Sequence, residues 1–158
     1  MTLDRGGMRM ASSLTNRHVL IVEDEYFIAD DMAQALDAAG ATVIGPFGKL
    51  GEVIAALDAK SVDCAILDIN LRGEESYPVA HALRRRGVPF VFASGYDPAA
   101  IEAGFADVPL FQKPLEIARV IGAVARMCGE RKGASRPQAS GSRSISAPTA
   151  ESFSSSRS

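Results

Sequence analysis

Short runs of branched apolar residues alternate, along the middle of this chain, with stretches whose apolar residues recur every three or four positions. The run His18-Val19-Leu20-Ile21-Val22 has no polar alternation, so it predicts a strand covered on both faces. From Glu25 to Ala39, the residues Ile28, Met32, Leu36 and Ala39 share one helical stripe, and Gly40 supplies the stop. A second strand is predicted over Ala41–Gly45. A second helix follows over Lys49–Ala59, with Leu50, Val53, Ile54 and Leu57 on one face. Val62–Leu67 reads as a third strand, and Ser76–Arg86 as a helix with Pro78 near its start and Gly87 at its end. Pro89–Ala93 is a fourth strand. Pro98–Ala103 leaves room for barely two turns of a fourth helix. Leu110-Phe111-Gln112 is a short fifth strand, and Leu115–Cys128 closes the pattern as a helix with Ile117, Val120, Ile121 and Val124 in its stripe.

Five strand-then-helix units with near-continuous apolar strands predict an α/β fold with a parallel sheet covered on both sides. At this length the pattern fits a flavodoxin-like, doubly wound (βα)5 unit of strand order 2-1-3-4-5, its fourth helix short or mobile. Such a sheet opens a crevice at the carboxyl ends of its first and third strands. The residues that close the strands are therefore the candidates for chemistry. The first strand ends in Glu23-Asp24, the third in Asp68, the fourth in Ser94 and the fifth in Lys113-Pro114. Three carboxylates converging on one small area repel one another. A hard divalent cation with oxygen ligands is the natural compensation. Mg2+ suits one or two carboxylates, retained waters and phosphate oxygens. Asp68 is then the candidate nucleophile, with Ser94 as a hydroxyl donor and Lys113 as a further positive charge.

Taken singly, each of these residues has a plainer reading. Glu23-Asp24 can solvate a loop, Asp68 can close an Asx-turn, Ser94 before Gly95 is an ordinary turn residue, and Lys113 is an ordinary surface charge. Together they end four strands on one sheet edge, which favours the site. Asp63 begins the third strand and belongs to the opposite edge. His18 and His81 lack metal-ligand spacing. Arg84-Arg85-Arg86 reads as a charge run at a helix end.

Composition changes the picture mainly at the ends. The 158 residues carry 17 basic and 19 acidic side chains, a formal charge of −2. That balance hides an uneven distribution. Residues 17–128 hold 16 acidic and 10 basic side chains, whereas residues 129–158 are net +3 and contain ten serines from Glu130 onward. The expected organisation is a disordered arm over 1–16, a folded unit over 17–128 and a disordered Ser/Arg-rich tail over 129–158. Met8 and Met10 are alternative starts. No apolar run marks a signal peptide or a membrane span. Cys64 and Cys128 are too few for a disulfide framework and lack metal-site spacing, so a reduced chain in the cytoplasm, with Cys64 as a buried thiol, is expected.

With these residues in view, the chain resembles the receiver domain of two-component response regulators over about 17–128. The carrying segments are Val19-Leu20-Ile21-Val22-Glu23-Asp24-Glu25, Ala65-Ile66-Leu67-Asp68-Ile69-Asn70-Leu71 and Gln112-Lys113-Pro114-Leu115. Val88-Pro89-Phe90-Val91-Phe92-Ala93-Ser94-Gly95-Tyr96 further resembles the motif of the stand-alone FAT GUY receivers, named for Phe-Ala-Thr-Gly-Tyr, with Ser94 in the place of Thr. The resemblance implies Asp68 as phosphoacceptor for a sensor histidine kinase. It implies Mg2+ held by Asp24, Asp68, the backbone carbonyl of Asn70 and, largely through water, Glu23. Ser94 and Lys113 would bind the phosphoryl group, Gly95, Tyr96 and Pro114 would modulate it, and the Lys113–Pro114 peptide would be cis.

Two departures stand out. Leu110 occupies the position, three before the lysine, where many receivers carry an aromatic switch residue. The stretch Gly95–Asp107 encodes its helix poorly and is expected to be mobile, ordering on phosphorylation or partner binding. With no DNA-binding or enzymatic domain after Cys128, output would be protein–protein contact or phosphorelay. The chain would be a signalling protein rather than an enzyme, with slow autophosphorylation and autodephosphorylation at most. Two other readings remain open: a small Mg2+-dependent phosphohydrolase working through an aspartyl phosphate, and a phosphorylation-independent pseudo-receiver. Asn70 stands where the hydrolase would need a second Asp, and the intact acidic set argues against the pseudo-receiver.

Overall fold

The computed structural model describes residues 14–135, with side chains to residue 129. Five strands build the main sheet: β1 (His18–Val22), β2 (Thr42–Phe47), β3 (Cys64–Leu67), β6 (Phe90–Ser94) and β7 (Leu110–Gln112). All its pairings are parallel, in the order β2-β1-β3-β6-β7. This is the expected 2-1-3-4-5 arrangement once a small hairpin, β4 (Asn70–Leu71) with β5 (Glu74–Glu75), is set aside. Four α-helices cover the sheet: α1 (Tyr26–Ala38), α2 (Leu50–Ala59), α3 (Tyr77–Arg85) and α4 (Ile117–Ser135).

Period-2 alternation within the apolar runs divides the core into two layers. Leu20, Val22, Ala65, Leu67, Phe90 and Phe92 point to one face and pack with Val53 and Leu57 of α2 and Val79 and Leu83 of α3. Val19, Ile21, Cys64, Ile66, Val91 and Ala93 point to the other and pack with Met32 and Leu36 of α1 and Val120 and Val124 of α4. Each fully buried Leu, Ile or Val contributes about 1.5–3 kcal/mol relative to exposure. The central strands are therefore the parts of the chain least free to shift.

The structure departs from the sequence pattern in four places. The short fourth helix is realised as two 3-10 turns, Pro98–Ala100 and Ala103–Phe105. Phe105 is buried within an aromatic group with Tyr77, Phe90 and Phe92, at ring-centroid distances of 5.7–6.0 Å. The closing helix runs past Cys128 to Ser135. Leu14, assigned to the arm, is fully buried in the core. The arm and tail proper, residues 1–13 and 136–158, lie outside the described residues.

The fourth departure corrects the reading of the cysteines. Cys64 and Cys128 form a disulfide, with Cα atoms 6.3 Å apart, and neither is a free thiol. Their 64-residue separation conceals the proximity. Packing of α4 over the β3 face brings both side chains into one core layer, within the Cα spacing that a disulfide spans.

Candidate functional site

Strand register explains why the candidate side chains meet. Val22 lies opposite Leu67, so Glu23-Asp24 and Asp68 follow at one level. Leu67 lies opposite Phe92, and Ser94 opposite Gln112, which places Ser94 and Lys113 at the same sheet edge. A cleft of about 460 Å³ opens there, lined by Asp24, Glu25, Asp68, Asn70, Arg72, Ser94, Gly95, Tyr96 and Lys113. Oxygen atoms of Glu23, Asp24 and Asp68 all lie within 4.8 Å of one another.

Two cations compensate these carboxylates. The Lys113 ammonium lies 2.9 Å from Asp68 Oδ2, 3.1 Å from Glu23 Oε2 and 2.6 Å from Glu25 Oε1. Burial alone would lower its pKa, but its hydrogen bonds to Glu25 and Asp68 and the Glu23 charge outweigh burial and hold it well above the usual lysine value. The Arg72 guanidinium lies 3.4 Å from Asp24 Oδ2. Asp68 Oδ1 also accepts from the Asn70 N–H at 3.2 Å. This is the Asx-type contact of the plainer reading, made with the oxygen that Lys113 does not use.

Glu23 is the strained member of the set. Its side chain is fully buried, Oε2 accepts from the Glu25 N–H at 3.0 Å, and Oε1 has no partner. Burial pushes its carboxyl up to about 7; the Glu25 N–H pulls the other way, and the charges of Asp68 and Lys113 oppose each other. A folded-state pKa above the ordinary 4.5 means that, between those values, the native chain holds a proton the unfolded chain has lost. The stabilising contribution of this group is full below the lower value and is lost as pH rises through the higher one. The metal-free protein is therefore expected to lose stability through Glu23 between about pH 5 and about pH 8. Urea denaturation of Glu23→Gln should show a flatter dependence; an unchanged slope would assign it to other groups.

An orphaned, buried carboxylate oxygen beside two further carboxylates fits a hard divalent cation, whose positive charge would satisfy it. The carboxylates of Glu23, Asp24 and Asp68 thus fit a hard cation such as Mg2+, which they would hold.

Ser94 is fully buried, and its Oγ accepts from the Tyr96 N–H at 3.3 Å. Its backbone carbonyl accepts from the Lys113 N–H at 3.0 Å, tying β6 to the lysine. The Tyr96 hydroxyl donates to Glu75 Oε2 at 3.0 Å, which raises its pKa. A Cβ built on Gly95 would meet no atom within 4 Å, so the cleft stays open on that side. Lys113–Pro114 is cis, as is Gly45–Pro46. Pro114 turns the chain toward α4 without lining the cleft.

The residues set aside lie elsewhere. Asp63 accepts from the His18 N–H at 2.7 Å at the opposite sheet edge. His81 packs on Phe105. Arg84 donates to the Gly104 carbonyl and stacks on Phe105, and Arg86 donates to the Leu57 carbonyl, so this charge run fastens neighbouring segments. Two site residues were missed. Glu25 was legible as a third acid beside the first strand end. Arg72 was not, because it reaches the site only through the β4–β5 turn.

Comparison with known proteins gives concordant results. The model of the response regulator receiver domain matches residues 19–125. The solution structure of SdrG from Sphingomonas melonis Fr1 is 41% identical, covering 73% of this chain and 98% of that one, with a TM-score of 0.60. The BeF3-activated conformation of SdrG from Pseudomonas melonis Fr1 is 38% identical, covering 70% and 95%, with a TM-score of 0.60. A CheY-like receiver domain protein from Methanospirillum hungatei JF-1 shares the fold at 23% identity and a TM-score of 0.65, covering 75% and 98%. No curated protein matches the sequence.

Proposed function

This chain belongs to the response regulator receiver domain family of two-component systems, whose members are generally signalling phosphoacceptors, and on that premise we propose that it takes a phosphoryl group from a histidine kinase onto Asp68. The observation that carries this reading is the placing of the Asp68 carboxylate. It lies at the open end of β3, 2.9 Å from the Lys113 ammonium and beside the Glu23 and Asp24 oxygens.

In the transfer, an Asp68 oxygen forms the new bond to phosphorus as the bond from phosphorus to the donor imidazole nitrogen breaks. The electron pair of that bond stays on the imidazole. Mg2+, when bound, supplies positive charge that offsets the carboxylates and the phosphoryl oxygens. Lys113 is near enough to ion-pair with the phosphoryl group, and Ser94 Oγ, now accepting from Tyr96, still has its own proton to donate. No carboxylate stands at Asn70 to activate water, and the Asn70 side chain instead accepts from the Gly73 N–H at 2.6 Å. That favours a persistent acyl phosphate over turnover.

The finer reading is a stand-alone receiver of the FAT GUY type, with residues 17–128 as its unit and output through a protein partner or phosphorelay in the cytoplasm. Phe92-Ala93-Ser94-Gly95-Tyr96 and the likeness to SdrG support it. No helix of the described residues is long and apolar enough to cross a membrane.

The test is incubation with acetyl phosphate and Mg2+ followed by intact-mass measurement. Wild type should gain one hydroxylamine-labile phosphoryl group, and none when the metal is chelated before acetyl phosphate is added, and Asp68→Asn should gain none. Equal labelling of the variant, or no labelling of wild type, would sink the proposal.

A further inference from the structure

The β4–β5 hairpin carries a positive charge into the site on a stiff support. Arg72 and Gly73 are its two central residues, with φ of 53° and 89°, the left-handed pair of a type I′ turn. The Asn70 side chain caps the turn, and the buried Leu71 anchors its first strand. The backbone under Arg72 is therefore held. Its side chain is 79% exposed, whereas the Asp24 side chain it meets is only 12% exposed. The two cations divide the carboxylates: Lys113 serves Glu23, Glu25 and Asp68, and Arg72 serves Asp24.

Arg72 and Asp24 also line a second cleft, of about 470 Å³, on the α1 side of the pair. Asp30 and Glu52 are at its wall, with Lys49 as the opposing charge. An arginine leaving Asp24 has carboxylates to turn toward. A divalent cation bound among Glu23, Asp24 and Asp68 draws on the same Asp24 carboxylate that Arg72 approaches to 3.4 Å, and it repels the guanidinium at this range.

From this arrangement we infer that Arg72 is an internal counter-ion of the acidic cluster, which competes with a divalent cation for the Asp24 carboxylate and so weakens its binding. The inference rests on the reading of the cluster as a divalent-cation site and assigns Arg72 a role in setting the affinity of that site. The exposed side chain makes displacement cheap, since a solvent-facing ion pair is weak. The fixed turn keeps the guanidinium close enough to return.

The experiment is calorimetric titration of the full chain with MgCl2, repeated with MnCl2 and followed by electron paramagnetic resonance. Arg72→Asn is the informative variant, because Asn tolerates the left-handed backbone and Asn-Gly favours the same turn. It is expected to bind both cations about two- to tenfold more tightly than wild type. Arg72→Lys, which keeps the charge, should stay within about twofold of wild type. Asp24→Asn should bind far more weakly than any of these. Unchanged or weaker binding by Arg72→Asn, with binding still lost in Asp24→Asn, overturns the role of Arg72 and leaves the cation site standing. Wild type that binds neither cation, or binds them equally well without Asp24, overturns the site and the inference together.

Discussion

Lys113→Met is expected to destabilise the metal-free protein by about 2–4 kcal/mol near pH 8 and by much less near pH 5. The ammonium is the shared partner of Glu23, Glu25 and Asp68, and the Glu23 and Asp68 side chains are 0% and 5% exposed. Methionine keeps most of the packing volume of the stem and removes the charge. Two carboxylates are then left close together with little solvent, and a buried charge that has lost its partner is costly. At low pH, Glu23 escapes the penalty by taking a proton, because burial already places its carboxyl near 7. Added Mg2+ should restore part of the loss near pH 8, since the metal would compensate the same oxygens. Urea denaturation at both pH values, with and without Mg2+, makes the comparison. A loss of the same size under all four conditions would mean that the lysine stem matters and its charge does not. The same variant should also respond less to beryllofluoride, because Lys113 lies 2.9 Å from the Asp68 oxygen proposed to carry the phosphoryl group or its mimic.

Phe105→Ala should cost about 3–5 kcal/mol and should release the segment between β6 and β7. Phe105 is 1% exposed and stacks on Tyr77 at 5.7 Å. The Arg84 guanidinium sits 4.8 Å from its ring centroid. With two 3-10 turns in place of a helix, the segment has few backbone hydrogen bonds of its own. Its other fastenings include the Glu102 N–H donated to the Tyr77 hydroxyl, the Arg84 guanidinium donating to the Gly104 carbonyl and the pairing of Arg84 with Asp107. Hydrogen exchange over Gly95–Asp107 should rise sharply in the variant while β1 and β3 keep their protection. A cost below about 1 kcal/mol would show that the pocket collapses around the missing ring. In wild type, the proposal that this segment orders on phosphorylation predicts slower exchange with beryllofluoride and Mg2+. Strong protection that does not change would count against it.

The two variants separate the parts of the molecule by physical origin. Lys113 and its carboxylates are held by strand register, and strand register follows from apolar runs that tolerate no slip. The segment after Ser94 has Phe105 as its one fully buried side chain, with a few polar ties and partly buried contacts beside it, and its conformation is correspondingly local.

The sequence by itself determined the alternation of strands and helices, the parallel sheet with both faces covered, and the strand-end residues Glu23, Asp24, Asp68, Ser94 and Lys113. These are consequences of periodicity, and periodicity is local: each apolar run specifies its own burial, and the residue after each run falls at the open edge. Tertiary structure alone decided the rest. Cys64 and Cys128 meet because α4 lies over β3, a proximity with no trace in their spacing. Leu14 joins the core because its chain folds back against the end of α1, where its N–H reaches the Ala39 carbonyl. Arg72 reaches Asp24 because a turn of two residues, too short to leave a hydrophobic period, aims it there. The charge balance of the site depends on which cation stands within a few ångströms of which carboxylate, and only the folded chain sets those distances.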